Sequence, residues 1–296
     1  MLSILIPTYN YKISKLVEEI YKQLSKTGIA FEILCNEDAS TKHVEDNKLN
    51  LSKLSNTFLF ISEINKGRTA TRQFLCDKAK HDWLLFLDAD VMPKNNAFIK
   101  NYISQIDSGY DAIFGGFAYD TSMKIDTGIL RWKYGKIYEE VDAKKRNLKP
   151  YGLIISANFL IKKSVFSKIN SRLDRSSYGL DNYFSALLRG EKVKVLHINN
   201  EAFHYGLENN AKYIEKAEEA IGTLLWMRDK KKITTHNNKL LKVYSLLKKL
   251  RLNYVTSLLY KILNKPIRKN LLSKNPNVRL LQIYKLLYIS QKDLSK

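Results

Sequence analysis

The stretch from Trp83 to Asp90, WLLFLDAD, constrains the chain more than any other: Leu84 to Leu87 are uniformly apolar and stop at once at Asp88, Ala89 and Asp90. The run is far too short to cross a membrane. Being apolar on both alternating faces, it reads as a strand buried between two layers of helix. If the backbone stays extended through Ala89, the carboxylates of Asp88 and Asp90 project to one side, roughly 6–7 Å apart, and can serve one hydrated cation. A hard divalent ion with carboxylate ligands and open positions holds substrate phosphates. An acidic turn after a strand has the same spelling, so the rest of the chain has to decide between the two.

Upstream, strands and helices alternate. Leu2 to Ile6 is a buried strand, left by the loop Pro7-Thr8-Tyr9-Asn10. Ile13, Leu16, Val17, Ile20 and Leu24 follow at helical spacing, closed by Gly28. Phe31 to Cys35 leads into Asn36-Glu37-Asp38-Ala39-Ser40, and Thr57 to Ile61 leads into Asn65-Lys66-Gly67-Arg68 and a helix reaching about Lys80. This alternation predicts an α/β fold with a mostly parallel, Rossmann-like sheet flanked by helices, whose ligand lies beyond the carboxyl ends of the strands. Thr8, Tyr9, Asp38, Arg68, Arg72, Asp88 and Asp90 all fall on that edge. Arg68 and Arg72, four apart near a helix N-terminus, suit an anion such as a diphosphate; away from this edge such a pair would read as a surface salt bridge.

Past Pro93 a helix over about 97–106 precedes Asp111 to Phe117, where Gly115 and Gly116 permit close backbone approach. Leu130-Arg131-Trp132-Lys133-Tyr134-Gly135 reads as a loop or lid running on to Pro150; Trp132 and Tyr134 can stack on an acceptor or pack on the domain. Leu153 to Ile161 reads as a strand and Lys163 to Ile169 as a helix. Asp181 opens a helix carrying Phe184, Leu187 and Leu188, and the dipole there keeps a carboxylate ionised, as a cap or as a proton acceptor. Val193 to His197 is a last strand. His204, in Glu201 to Gly206, can join the carboxylate pair on a metal or be structural. Beyond Asn209 the chain is helical, which predicts a sheet domain over 1–208 and a helical C-terminal extension over 209–296.

The charge adds a partner class. Fifty Lys+Arg against 29 Asp+Glu leave a net +21, which favours an anionic partner. The excess concentrates in the C-terminal helices, at Lys230 to Lys232, Lys248, Lys249, Lys265, Arg268 and Lys269. Leucines and tyrosines interleave with these bases, so the segment reads either as a solvated helical face or as a peripheral contact with an anionic membrane. Cys35 and Cys76 lie in apolar stretches and read as core thiols of a reducing compartment. The opening Met1 to Pro7 reads as a strand, not a leader. A cytoplasmic protein is expected, either free or peripheral on the cytoplasmic face of a membrane.

Taken together, LSILIPTYN at Leu2 to Asn10, EDAS at Glu37 to Ser40, the spacing of Asn65, Gly67 and Arg72, and FLDAD at Phe86 to Asp90 resemble the family 2 glycosyltransferases of the GT-A fold. The resemblance is strong over the first hundred residues and extends to about Glu208. It implies that Pro7, Thr8 and Tyr9 pack on the base and ribose of a nucleotide sugar, with a UDP-sugar favoured, and that Asp38 meets the uracil. It further implies that Arg72 meets the diphosphate, beside the Arg68 already placed there by its position on the helix, that the element Asp88-Ala89-Asp90 borders the donor with Asp88 on the ribose, and that Asp90 holds Mg2+ or Mn2+ with His204 as a further ligand. The implied reaction is inverting transfer to a hydroxyl of a glycan or lipid-linked acceptor. The family's Glu-Asp pair reads Asp181-Asn182 here, which leaves Asp181 as the acid available for catalysis.

Three rivals are weaker, and a fourth reading stays open. A haloacid dehalogenase-type phosphotransferase places Thr two residues after its Asp-x-Asp, where this chain has Met92. A nucleic-acid-binding protein needs a compact basic patch with exposed aromatics, so no nucleic-acid partner is expected. A nucleotidyltransferase needs a Gly-rich loop after the first strand, which is absent. A non-catalytic relative of the same fold remains possible because of Asn182.

Overall fold

The computed structural model describes residues 1–122, 127–173, 176–230, 233, 236 and 238–296; Lys231 and Lys232 of the basic run lie outside the described residues. The elements open as β1 (Leu2–Thr8), α1 (Ser14–Leu24), β2 (Phe31–Asp38), α2 (Val44–Leu51), β3 (Thr57–Ser62), α3 (Gly67–Lys78) and β4 (Trp83–Leu87). They continue as β5 (Val91–Pro93), α4 (Phe98–Ile103), β6 (Ala112–Phe114), β7 (Phe117–Ala118), α5 (Ile129–Tyr138), α6 (Ala143–Asn147), β8 (Asn158–Lys162), α7 (Lys163–Asn170), α8 (Asp181–Gly190), β9 (Val195–His197) and β10 (Ala202–His204). Four helices close the chain: α9 (Asn210–Asp229), α10 (Lys239–Lys249), α11 (Asn253–Leu271) and α12 (Val278–Leu294).

The chain forms two compact units. One comprises Met1–Asp120, Glu139–Ser176 and Glu191–Gly206; the other comprises Thr121–Tyr138, Ser177–Gly190 and Leu207–Lys296. The sequence suggests a single division after residue 208, whereas by packing α5 and α8 group with the C-terminal helices.

The first unit holds a seven-stranded sheet ordered β3-β2-β1-β4-β8-β6-β9 and a small sheet ordered β5-β10-β7. The strands β3, β2, β1 and β4 are parallel. Leu2, Ile4, Leu5 and Ile6 of β1 and Leu84 to Leu87 of β4 are wholly buried, which is why both strands read as continuous apolar runs. Between β4 and β6 lies β8, antiparallel to both. It begins at Asn158, so the apolar residues from Leu153 to Ala157, expected in the strand, form its approach. Phe159 of β8 stacks on Phe86 at 5.0 Å and on Phe114 at 5.3 Å, which ties three strands into one core.

Arg146 of α6 is buried, and among the described residues it hydrogen-bonds carbonyls and an imidazole, not a carboxylate. Its guanidinium donates to the carbonyls of Val141, Phe114, Gly115 and Ile198 at 2.7–3.1 Å, and to Nδ1 of His197 at 2.9 Å. His197 in turn donates from Nε2 to the Pro150 carbonyl at 2.7 Å. Burial, with Arg146 adding to it, pushes the His197 imidazole down to about 4.

The second unit is helical. Tyr213, Ile214, Leu281, Tyr284 and Leu287 form its core. The start of the stretch expected as a loop or lid, residues 130–138, lies in the helix α5: Leu130 is wholly buried, and Tyr134 lies 5.8 Å from the Tyr213 ring and beneath the Lys285 ammonium. Packing, not acceptor stacking, thus accounts for Tyr134.

Candidate active site

Because β1, β2 and β4 run parallel, the segments leaving them emerge on one edge of the sheet. Pro7-Thr8-Tyr9 ends β1, Asp38 ends β2 and Asp88 follows β4. The connection from β1 leads to β2 on one side and the chain leaving β4 leads to β6 and β8 on the other, so a crevice opens between β1 and β4.

At this edge Thr8 is buried and turns its hydroxyl back to the Ile6 carbonyl, whereas Tyr9 is 57 % exposed and presents its ring to solvent. Asn10, in the left-handed region at φ 52°, accepts the Thr41 and Lys42 amides at 2.7 and 3.0 Å and so ties this loop to the one after β2. Below it, the wholly buried Glu37 accepts bonds from Ser40 and Asn47.

Asp38 is committed to backbone. Its two carboxylate oxygens accept the Lys66 and Gly67 amides at 2.9 and 2.8 Å, which satisfies the exposed donors at the start of α3. Gly67 sits at φ +77°, and a Cβ there would lie 2.5 Å from Ser176 Oγ. The turn therefore accepts no side chain without strain. From this moored helix Arg68 and Arg72 both reach Asp88: Arg68 to Oδ2 at 2.6 Å and Arg72 to Oδ1 at 2.7 Å. Arg68 also donates to Ser156 Oγ at 3.1 Å and Arg72 to the Ser156 carbonyl. Arg72 is buried over the rings of Phe86 and Phe159, a setting that suits a guanidinium better than an ammonium.

The extended Asp88-Ala89-Asp90 anticipated from sequence is not formed. The strand ends at Leu87, the backbone turns at Ala89 and Asp90, and β5 starts at Val91. The turn gives the two carboxylates different partners: Asp88 takes the arginines and Asp90 takes His204, whose Nε2 is 3.3 Å from Asp90 Oδ2. The Tyr205 amide bonds the Asp90 carbonyl at 2.9 Å, so the end of β10 is fastened to the turn. Burial works to raise the Asp90 pKa, but the His204 hydrogen bond and charge, with Arg68 beyond, outweigh it and hold the carboxyl below its ordinary range. Tyr11 belongs to the same cluster: burial raises its hydroxyl above the ordinary value, and the charges of Asp90 and Tyr205 add to the effect.

Does this pair suit a divalent metal? Asp90 does, being an ionised carboxylate with a nitrogen donor beside it. His204 meets half of the requirement. Its ring is stacked on Phe117 at 4.9 Å, and its Nδ1 is buried with no hydrogen-bond partner among the described residues, whereas a metal-bound imidazole ordinarily donates from its second nitrogen. Among the described residues no group of three or more His, Cys, Asp or Glu side chains forms a complete metal cage. An ion here would need oxygen ligands from substrate and water, as Mg2+ ordinarily takes them.

The sequence pattern of the family described as Glycosyl transferase family 2 matches residues 3–169. The chain belongs to glycosyl transferase family 2. In class it is therefore a glycosyltransferase. Among solved structures it is similar to the mannosyltransferase PcManGT from Pyrobaculum calidifontis in complex with GDP-Man and Mn2+, at 12% identity and TM-score 0.58, over 99% of this chain and 86% of that one. It is also similar to S. aureus TarS 1-349 in complex with UDP, at 14% identity and TM-score 0.50, over 99% and 91% of the two chains. Against TarS itself, at 15% identity and TM-score 0.50, the match covers 80% of this chain and spans only 40% of TarS. These likenesses establish the GT-A fold. No curated protein matches this sequence.

Two features of this glycosyltransferase lie beyond a reading of its motifs: the need for Gly206 and the partners of Asn182. Gly206 is one: a Cβ there would overlap Asp90 Oδ2 and lie 2.7 Å from its Cγ, so the carboxylate needs a glycine opposite it. Its signal was the glycine two residues after His204. The other is Asn182. Its Nδ2 donates to the Gly179 carbonyl at 3.2 Å, while its Oδ1 accepts from Asn238, the residue that caps α10, at 2.8 Å. The residue standing where the family has an acid is thus a fastener within the second unit. Asp181, the first residue of α8, is the neighbouring acid.

Proposed function

We propose that this glycosyltransferase moves a sugar from a UDP-sugar to a hydroxyl of a glycan or lipid-linked acceptor, with inversion at the anomeric carbon. The observation that carries the reading is the pairing of Arg68 and Arg72 through Asp88, on a helix start, beside the ionised Asp90 and its His204 partner. The two guanidiniums bind the donor's diphosphate, exchanging part of their hold on Asp88 for phosphate oxygens. The exposed Tyr9 ring, with Pro7 and Thr8 behind it, stacks on the base. Asp38 offers its remaining lone pairs to the uracil, and Asp88 with Ala89 borders the ribose.

Asp90, with His204 beside it, is the holder for Mg2+ or Mn2+; PcManGT, of the same fold, carries Mn2+. The ion, when bound, neutralises charge on the departing diphosphate. Asp181 accepts the acceptor hydroxyl's proton as that oxygen bonds to the anomeric carbon and the bond to phosphate breaks. A cytoplasmic setting suits such a donor, and among the described residues no helix is long and apolar enough to cross a membrane.

The test is a thermal-shift and calorimetric panel of UDP, GDP and their sugars with and without Mn2+ or Mg2+, followed by transfer assays on Asp181→Asn. UDP with metal should stabilise the protein, and Asp90→Ala should lose the metal-dependent part. Asp181→Asn should bind the donor normally and transfer roughly 10²-fold or more slowly. Full activity in that variant would leave Asp181 as a helix cap only.

A further inference from the structure

Helix α11 is inside out. A helix in water turns its apolar stripe inward and its polar face outward. Over its first three turns α11 does the reverse. The inward residues are Asn253, Thr256, Ser257, Tyr260 and Asn264, and three of them hydrogen-bond α12: Ser257 Oγ to Gln291 Oε1 at 2.6 Å, Thr256 Oγ1 to Ser290 Oγ at 2.7 Å, and the Tyr260 and Tyr284 hydroxyls at 3.4 Å. Only at Ile267 and Leu271 does the buried side become aliphatic. The outward residues, at three- and four-residue spacing, are Val255, Leu258, Leu259, Ile262 and Pro266. Leu258 and Ile262 are 58 % and 62 % exposed. Helix α10 buries Leu241 and Tyr244 in the ordinary way, yet it also leaves Val243 and Leu246 outward, with Leu250 just past its end.

Leaving so many aliphatic side chains in water is unfavourable, and a patch of this kind marks a contact surface. What the contact is made of follows from charge. Between Asp229 and Asp293 the sequence has no Asp or Glu, while Lys261, Lys265 and Lys269 flank the apolar stripe on one side and are exposed. Two copies of the chain meeting through this face would set like charges together. A bilayer with anionic headgroups satisfies both halves, with leucines entering the acyl boundary and lysines reaching the phosphates.

We propose that the outward face of α11, extended by that of α10, docks this protein on an anionic lipid surface. The inference does not depend on the donor or the catalytic residues. It is tested by flotation of the full chain with vesicles of phosphatidylcholine alone and with roughly 30 % phosphatidylglycerol. The protein should float with the mixed vesicles, detach as salt is raised, and stay behind with neutral ones. Leu258→Gln with Ile262→Gln should weaken binding tenfold or more, whereas Ile262→Trp should keep or increase it. Lys261→Gln with Lys265→Gln should weaken it roughly fivefold per lysine. All of these positions are exposed, so far-UV spectra, melting temperature and nucleotide binding should match the parent. Failure to bind anionic vesicles overturns the proposal, as does a concentration-dependent dimer abolished by Leu258→Gln with Ile262→Gln. Because nucleotide binding is read separately, loss of lipid binding and failure of the proposed reaction give distinguishable results.

Discussion

Replacing Gly206 by alanine isolates the contribution of Asp90 without touching it. A Cβ built at Gly206 overlaps the Oδ2 of Asp90 and stands 2.7 Å from Cγ and 3.0 Å from Cβ, where ordinary carbon contacts need about 3.4 Å or more. The carboxylate must therefore swing away by something on the order of 1 Å, a displacement that costs about 10²-fold in rate when the displaced group acts on the reacting centre. Stability should change far less. Gly206 lies outside the left-handed region, so alanine brings no backbone strain, and the partly exposed Asp90 side chain can rotate. A loss of about 1 kcal/mol, at the low end for overpacking, is expected. The assay is calorimetric titration of UDP with and without Mn2+, alongside transfer rates and thermal melts. Gly206→Ala should keep the metal-independent affinity, lose the metal-dependent increment and transfer about 10²-fold more slowly. In an Asp90→Ala background the same substitution should add little, because the clash is gone. Parental metal dependence and rate in the single variant would refute the placement of Asp90 at the reacting end of the donor.

Other expectations follow from the same geometry. His197 is buried with its imidazole pushed down to about 4 against about 6.5 unfolded. Between these values the unfolded chain binds the extra proton, so this contribution to stability is complete above about pH 6.5 and falls as pH drops toward 4. The unfolding free energy from urea titrations should decline through that window by up to about 3 kcal/mol, and His197→Gln should flatten the decline. Asn182→Asp would aim a carboxylate at the Gly179 carbonyl where an amide now donates. It should cost roughly 1–2 kcal/mol in denaturant titrations without raising the transfer rate. A faster enzyme would move the base assignment from Asp181 to position 182.

The sequence spelled out the edge better than what lies on it. Parallel strands are buried on both faces, so β1, β2 and β4 wrote themselves as apolar runs, and their direction gathered Thr8, Asp38 and Asp88 at one edge. Strand direction is not encoded in an apolar run, so the antiparallel β8 was invisible. The turn at Ala89 was invisible for a related reason: alternation in Asp-Ala-Asp fits an extended strand and a turn equally, and the choice falls to partners distant in sequence, Arg72 and His204. The 130–138 segment looked loop-like because its aromatics and bases hide a helix whose buried side rests on Leu130 and Tyr134. Asn182 could be seen as a departure, but its bond to Asn238 spans too many residues to be inferred from spelling.

Asp38 carries two obligations at once. The same carboxylate that is assigned to the uracil also moors the first turn of α3, through Lys66 and Gly67, and with it the arginines that follow. On the proposed assignments, base preference and phosphate grip cannot drift independently in this protein. A substitution that retuned the nucleotide at Asp38 would also unsettle the cations that hold its tail, so a change of donor base would have to be found elsewhere in the pocket wall.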